Sequence, residues 1–221
     1  MSSFKSASPI LAKAYDTALL DLDGVVYIGD DAVPGVISAL NQAHDDYGMT
    51  LTCVTNNASR SSQRVADHLQ ELGLQVTAED VVTSAQAGAA ELAKLIPQGS
   101  NVFVLGSKDL AREVELVGLN PSHDVSQTYD AMIQGYWPDM PFRILEFAAS
   151  VLRTGVPWVA TNMDMTIPTP TGVAPGNGTV ITALGETVNR APTLVAGKPE
   201  TPLMQQSIDR TTAKRPLVVG D

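Results

Sequence analysis

The chain has 221 residues, of which 44% are apolar, and its net charge is −10 with an isoelectric point of about 4.6. This length suits one domain of moderate size or two small ones. The sequence is acidic and contains no basic stripe, so we expect no nucleic-acid partner. No apolar run approaches the ~20 residues of a membrane span. The N-terminal stretch has no apolar segment long enough for a signal peptide.

The only cysteine, Cys53, excludes an internal disulfide. It lies in the apolar stretch "LTCVT", which predicts a small buried side chain. This cysteine usage favours a reducing compartment, and we expect a cytoplasmic protein.

Apolar runs and helical repeats alternate along the chain. A buried strand at 17–22 precedes a helix that begins near Pro34 and ends at Gly48. A strand at 49–57 precedes an amphipathic helix that ends at Gly73. The later predicted elements are strands at 81–85, 101–106, 131–136, 157–162, 193–197 and 215–221, helices at 85–96, 109–118, 143–155, 179–189 and 199–213, and a Pro/Gly-rich loop at 163–178. This alternation predicts an α/β fold with parallel sheets covered on both faces.

Four polar groups follow predicted strands. They are Asp21 with Asp23, "TNN" at 55–57, "GKPE" at 197–200, and "GD" at 220–221. Ligands of parallel α/β sheets bind outside the carboxyl ends of the strands. We therefore expect these groups to form one site.

The paired carboxylates predict a cation. Asp21 and Asp23 stay ionised together only if a positive charge offsets them. Asp221 supplies a third carboxylate at another strand end. Oxygen ligands favour Mg²⁺ over zinc, and the three histidines are too scattered to form a metal motif.

The remaining groups predict a phosphate site. Thr55, Asn56 and Asn57 lead into the start of a helix, which is a favourable place for an anion. Lys198 supplies the positive charge that a phosphate beside aspartates requires. Together the groups indicate phosphoryl transfer through a carboxylate nucleophile.

Each group alone also has a structural explanation as a turn or a helix cap. Their order and their shared position at strand ends favour the functional interpretation. The segment "LGSKD" at 105–109 resembles a phosphate loop, but we interpret it as an ordinary strand-to-helix turn.

The segments "DLDGVVYIGDDAVPGV", "VTNNASRS", "AGKPE" and "VVGD" resemble the four motifs of the haloacid dehalogenase superfamily. The sequences of these segments are most similar to those of the NagD-like, p-nitrophenylphosphatase and phosphoglycolate phosphatase branch, whose members have a class IIA cap. The segments "VVTSA" and "ATNMDMTIPTPTGVAPGNG" also resemble that branch. The likeness therefore covers nearly the whole chain.

The resemblance implies a role for each motif residue. Asp21 would be the nucleophile, and Asp23 would protonate the leaving oxygen and then activate water. Thr55, Asn56 and Asn57 would hold the phosphoryl oxygens, and Lys198 would neutralise charge near Asp21. Mg²⁺ would bind the Asp21 carboxylate, the Asp23 backbone carbonyl and the Asp221 carboxylate. The partner would be a small phosphorylated metabolite.

The resemblance also implies a two-part architecture. A Rossmann-like core would comprise 1–84 and 193–221, and an inserted α/β cap of the C2 type would comprise 85–192. The cap would present Asn162, Asp164 and Ile167 to the substrate. Relatives that hydrolyse vitamin B6 phosphates have a histidine near the position of Ile167, which disfavours that substrate here.

The end of the chain raises an alternative. Members of the superfamily continue after "GD" with a second aspartate, a helix and a further strand, so we expect a fragment or a shortened protein. A protein that ended at Asp221 would leave "PLVVG" at a sheet edge, where it favours association such as a homodimer.

Three other functions are alternatives to phosphatase activity. A shortened protein could act only as a catalytically impaired binding module. A two-component receiver domain is disfavoured because it lacks a cap, and a true dehalogenase is disfavoured because it lacks an acid at the position of Asp23.

Overall fold

The computed structural model describes residues 10–169 and 172–220. The helices are α1 (Leu11–Ala14), α2 (Val36–Tyr47), α3 (Ser62–Glu71), α4 (Ser84–Leu95), α5 (Lys108–Leu116), α6 (Phe142–Arg153), α7 (Asn177–Val188) and α8 (Thr201–Thr211). The strands are β1 (Thr17–Leu20), β2 (Tyr27–Ile28), β3 (Asp31–Ala32), β4 (Thr50–Thr55), β5 (Val81–Thr83), β6 (Asn101–Leu105), β7 (Asn120–Ser122), β8 (Ala131–Gln134), β9 (Trp158–Ala160), β10 (Thr166–Thr169), β11 (Gly172–Pro175), β12 (Leu194–Val195) and β13 (Pro216–Val219).

One parallel sheet of four strands has the order β13-β1-β4-β5. Its strands are short and apolar, and every residue of β1 is buried. The register pairs Leu20 with both Cys53 and Val219, and Thr55 with Thr83. The carboxyl ends of these strands therefore lie along one edge of the sheet.

A second parallel sheet of five strands has the order β12-β9-β8-β6-β7. All five strands come from residues 101–195, which we call the inserted unit. Trp158 and Phe103 are fully buried in its core. The domain boundaries at 84/85 and 192/193 stay a prediction, but β12 lies beyond residue 192 and pairs with β9. The α/β fold class is confirmed, with parallel sheets covered by helices.

Two helices next to the four-stranded sheet begin with local capping. The Ser61 hydroxyl accepts the N–H of Arg64 at the start of α3. Thr83 and Gln86 form a capping box at the start of α4. These caps fix the points at which the chain leaves the sheet edge.

Several described elements are absent from the sequence prediction. The hairpin of β10 and β11 lies inside the predicted loop at 163–178, where prolines obscure the strand pattern. Strand β7 contains Pro121, which is tolerated because β7 is an edge strand. The short helix α1 and the hairpin of β2 and β3 were also missed.

Cys53 lies in the interior of β4 and is fully buried. Burial raises the pKa of its thiol to about 12. Among the helices in the described ranges, none has the length and apolar character that a membrane crossing requires.

Candidate active site

Asp21 and Asp23 lie on a turn directly after β1. The Asp21 N–H donates to the Val219 carbonyl at 2.8 Å, which continues the pairing of β1 with β13. Leu22 is fully buried between the two acids, and its N–H donates to Asp21 Oδ1 at 2.8 Å. Gly24 has a φ of +82°, which allows the chain to turn back. The buried leucine thus anchors both acids at the sheet edge.

Lys198 forms an ion pair with Asp21. Its Nζ lies 2.5 Å from Asp21 Oδ1 and 3.2 Å from the Val54 carbonyl oxygen. The side chains of Lys198 and Asp21 are only 24% and 21% exposed, so solvent screens the pair incompletely. Among the described residues, no donor hydrogen-bonds to Asp21 Oδ2, which leaves one carboxylate oxygen free for chemistry.

Asn56 links three separate parts of the chain. Its Nδ2 donates to the two carboxylate oxygens of Asp164 at 3.1 and 3.2 Å and to the Lys198 carbonyl at 3.1 Å. Its Oδ1 accepts the Lys198 N–H at 2.7 Å. A Cβ at Gly197 would lie 2.6 Å from this oxygen, so only glycine fits there. The amide side chain therefore sets the position of the Lys198 backbone.

The backbone carbonyl of Asn56 is held as well. It accepts the Ser84 hydroxyl at 2.6 Å and Asn162 Nδ2 at 2.8 Å. The Asn162 carbonyl in turn accepts Asn177 Nδ2 at 3.0 Å. Asn162 and Asn177 are buried. These contacts join the end of β4 to the inserted unit.

Thr55 and Asn57 flank this anchored residue. The Asn57 N–H donates to Thr55 Oγ1 at 3.0 Å, and Asn57 Oδ1 accepts the backbone N–H and the hydroxyl of Ser59 at 2.9 and 2.8 Å. Thr55 Oγ1 acts here as an acceptor, so its own proton can still be donated. Because Thr55 is almost fully buried, its hydroxyl has little competition from water.

The pKa of Asp23 is raised above its ordinary value, first by partial burial of its carboxyl group and then by the neighbouring charge of Asp21. Arg60 and Lys198 act in the opposite direction. The pKa of Asp164 is also raised by burial, while the hydrogen bond from Asn56 opposes the shift. An acid with a raised pKa beside an ionised carboxylate is suited to give a proton to a leaving group.

Two residues near the site were not singled out from the sequence. Arg60 lies close enough to Asp23 to lower the pKa of its carboxyl group, and Ser84 hydrogen-bonds to Asn56. Arg60 stands in the quoted segment "VTNNASRS", so a positive residue in a phosphate motif was an available signal. Ser84 stands in the quoted segment "VVTSA", but its contact with Asn56 joins positions 28 residues apart, which no local pattern indicates.

One predicted site residue among those described remains apart from this cluster. Ile167 lies on β10 opposite Ala174, on the hairpin that follows Asp164. Asp221 lies outside the described residues. The residue before it, Gly220, lies against Asp21, where an added Cβ would be 2.9 Å from Asp21 Cβ. Among the described residues, no group of three or more His, Cys, Asp or Glu side chains could hold a metal ion.

Comparisons with known proteins show the family of this chain. The family model of haloacid dehalogenase-like hydrolases matches residues 18–120. The chain is 42% identical over 211 residues to the D-glycerol 3-phosphate phosphatase of Mycobacterium tuberculosis. The alignment covers 96% of this chain and 58% of that protein. It is 31% identical to the acid sugar phosphatase of Staphylococcus saprophyticus, over 95% of this chain and 80% of that protein. The chain belongs to the haloacid dehalogenase-like hydrolase family.

A solved structure supports the fold of this haloacid dehalogenase-like hydrolase. The crystal structure of the glycerol phosphate phosphatase from Mycobacterium tuberculosis in complex with magnesium superposes with a TM-score of 0.90 at 42% identity. The match covers 95% of this chain and 63% of that chain. The chain thus spans about three fifths of the length of these mycobacterial relatives.

Proposed function

We propose that this chain carries the active site of a Mg²⁺-dependent phosphatase that hydrolyses a small phosphorylated metabolite through an aspartyl-phosphate. The observation that supports it most is the 2.5 Å contact between Lys198 Nζ and Asp21 Oδ1 at the end of β1. The contact holds one oxygen of a partly shielded carboxylate and leaves the other free. Relatives that share the fold are named phosphatases.

In the first step, Asp21 Oδ2 attacks the phosphorus atom, and the bond from phosphorus to the leaving oxygen breaks. Asp23, whose pKa is raised, gives its proton to that oxygen, and the alcohol departs. In the second step, the Asp23 carboxylate takes a proton from water, and the water oxygen attacks the phosphorus of the aspartyl-phosphate. Inorganic phosphate leaves, and Asp21 and the protonated Asp23 are regenerated.

Lys198 and the loop after β4 hold the phosphoryl group. The ammonium of Lys198 offsets negative charge as it builds on the phosphoryl oxygens. The Thr55 hydroxyl at the end of β4 and the Asn57 amide on the adjoining loop are suited to donate to these oxygens. Asn56 keeps Lys198 in place through the bonds to its backbone N–H and carbonyl.

The donor groups fit a magnesium ion. The predicted ligands are the Asp21 carboxylate, the Asp23 backbone carbonyl and the Asp221 carboxylate, all of them hard oxygen donors. The charge of Asp21 contributes to the raised pKa of Asp23, so the described site has an excess of negative charge that a cation would relieve. When bound, Mg²⁺ supplies Lewis-acid polarisation of the phosphoryl group.

We propose that α4 and most of the inserted unit form a cap that extends from about residue 85 to about 192. It would contribute Asn162, Asp164 and Ile167 to the substrate site. The relatives are named for glycerol phosphate and sugar phosphates, so we propose a small polyol or sugar phosphate as substrate. A cytoplasmic location and a homodimer stay predictions.

The test is hydrolysis of p-nitrophenyl phosphate by the 221-residue chain, with Mg²⁺ and with EDTA. We expect Mg²⁺-dependent release of p-nitrophenol that is lost in Asp21→Asn. Hydrolysis that persists in EDTA, or that survives in Asp21→Asn, would overturn the proposal. No hydrolysis, together with retained binding of inorganic phosphate, would support the alternative of a binding module.

A further inference from the structure

The five-stranded sheet has a switch point between β6 and β8. The chain leaves β6, forms β7 on one side and then returns to form β8 on the other side. In open α/β sheets, a crevice forms at such a point outside the carboxyl ends of the strands, and ligands bind there. Gly106 follows β6 and Gly135 follows β8. The segment "LGSKD" therefore lies where a phosphate loop would be expected.

A loop from the four-stranded sheet fills this crevice. Ala58 follows Asn57 and is 1% exposed. A Cβ at Gly135 would lie 3.2 Å from the Ala58 Cβ, and the Ser107 hydroxyl donates to the Ala58 carbonyl at 3.3 Å. The inserted unit thus packs against the loop that carries the proposed phosphate-binding residues and hydrogen-bonds to it.

Asp109, the last residue of "LGSKD", reaches the start of α3. Its Oδ2 accepts the backbone N–H of Ser61 at 3.1 Å. Ser61 is the N-cap of α3 and accepts the Arg64 N–H through its side chain. In a capping box, the third helical residue accepts the N-cap N–H, but here that residue is Arg64, which has no acceptor. A carboxylate from the inserted unit completes the cap.

We propose that Asp109 is a positioning residue that ties the placement of the inserted unit to the order of the loop from Thr55 to Ser61. One end of this loop is held at Asn56 by Ser84 and Asn162. The other end is held at Ser61 by Asp109. If either anchor is lost, the loop must be ordered by the phosphate itself, which weakens phosphate binding.

The hydrogen bond from the Ser61 N–H to Asp109 contributes more to the order of this loop than the charge of Asp109 does. The Arg64 guanidinium lies 3.7 Å from Asp109 Oδ2, and its side chain is 66% exposed. Exposed pairs of this kind contribute little. Asparagine retains an oxygen acceptor at the same position, so Asp109→Asn should preserve most of the effect, whereas Asp109→Ala should remove it.

The experiment measures hydrogen exchange of the backbone amides at 55–64 in Asp109→Ala, Asp109→Asn and the parent chain. Glu115→Ala is the matched control, because Glu115 lies on the same helix and pairs with Arg112 at 2.6 Å. In Asp109→Ala we expect roughly fivefold to thirtyfold faster exchange at 55–64, the range expected for loss of a helix cap. Asp109→Asn should stay within about threefold of the parent, and Glu115→Ala should match the parent.

Kinetics give a second readout, which rests on the proposed function. With p-nitrophenyl phosphate, Asp109→Ala should raise KM severalfold with a smaller change in kcat, and Asp109→Asn should restore KM. A purely structural role would lower the melting temperature and the active fraction at constant KM. Unchanged exchange at 55–64 in Asp109→Ala would overturn the inference whether or not the chain is active. Absent turnover with the expected exchange pattern would instead count against the proposed function.

Discussion

The two sheets meet at their carboxyl ends but carry different residues there. The four-stranded sheet ends in charged and amide side chains, namely Asp21 and Asn56. At its switch point the five-stranded sheet instead ends in Gly106 and Gly135, and Ala58 packs against Gly135. Lys198 follows β12 of the five-stranded sheet and contacts Asp21, so this sheet also contributes to the proposed ligand site, whereas its switch point contacts the loop after β4. Because Gly135 has no side chain, Ala58 can pack at the switch point, whereas charged side chains follow β1 and β12 at the proposed ligand site.

The largest expected effect is at Asp21, which lies at the carboxyl edge of the four-stranded sheet. Asp21→Asn should lower turnover of p-nitrophenyl phosphate by more than about 100-fold, because an amide cannot replace a carboxylate nucleophile. Steady-state kinetics with Mg²⁺ measure this loss. Asp45→Asn, on the exposed face of α2, is the control and should match the parent. Residual activity above about one hundredth would contradict covalent catalysis by Asp21.

The second prediction tests the close packing at Gly197, which follows β12 and lies against Thr161 and Asn56. A Cβ at Gly197 would lie 2.5 Å from the Thr161 backbone oxygen, and a backbone atom cannot move aside cheaply. Gly197→Ala should therefore reduce the free energy of unfolding by about 2–3 kcal/mol, measured by urea denaturation.

Gly88→Ala is the matched control for this change. Its Cβ would meet the end of the flexible Ile133 side chain at 3.3 Å, and alanine favours the helix α4. We expect a change near zero. Equal losses in the two variants would show that the close approach at Gly197 is unimportant.

The third prediction concerns the amide that joins the edges. Asn56→Ala removes the side-chain bonds to Asp164 and Lys198. It should cost about 1–2 kcal/mol of stability and raise KM for p-nitrophenyl phosphate, because Lys198 loses its backbone anchor. Thermal melts and kinetics test the two effects. A stability loss with unchanged KM would mean that the contacts of Lys198 Nζ with Asp21 and the Val54 carbonyl suffice to position it.

The smallest expected effect is a gain in stability. The folded-state pKa of Asp23 is above its ordinary value of 3.8, so its ionised form destabilises the fold slightly. The stability from the protonated form is present below the ordinary pKa and is lost as the pH rises through the raised value. In metal-free buffer at pH 7, Asp23→Asn should therefore melt higher by no more than about 2 °C, since Asp23 is partly exposed to solvent.

The pH dependence of this gain is its own control. At about pH 3 the parent carboxyl is protonated in both states, so the difference between Asp23→Asn and the parent should vanish. A lower melting temperature for the variant at pH 7 would reverse the sign of the argument.

The sequence predicted the parts of the molecule that depend on local patterns. The apolar strand before Asp21 and the helix that follows the "TNN" segment are encoded within a few residues, so the placement of strand-end groups could be expected. The bonds of Asn56 to Asp164 and Lys198 join positions 108 and 142 residues apart. Periodicity contains no information on such pairings, which depend on how the two sheets pack.

The same reasoning explains the errors. Pro168 and Pro175 made the segment of β10 and β11 look like a loop, although both strands belong to an isolated two-stranded hairpin that tolerates proline. The segment "LGSKD" forms the turn from β6 into α5, and Ser107 is the N-cap of that helix. Its contact with Ser61 could not be foreseen, because nothing in the segment indicates which helix its aspartate caps.

The burial of Cys53 makes the chain convenient for spectroscopy. With a thiol pKa of about 12 and no exposed surface, this cysteine is almost entirely protonated at neutral pH and should resist maleimide reagents. A cysteine introduced at the exposed Glu115 and another at Asp45 could then carry a dye pair without removal of the native thiol. Energy transfer between the dyes would follow the separation of the two sheets in solution as phosphate is added.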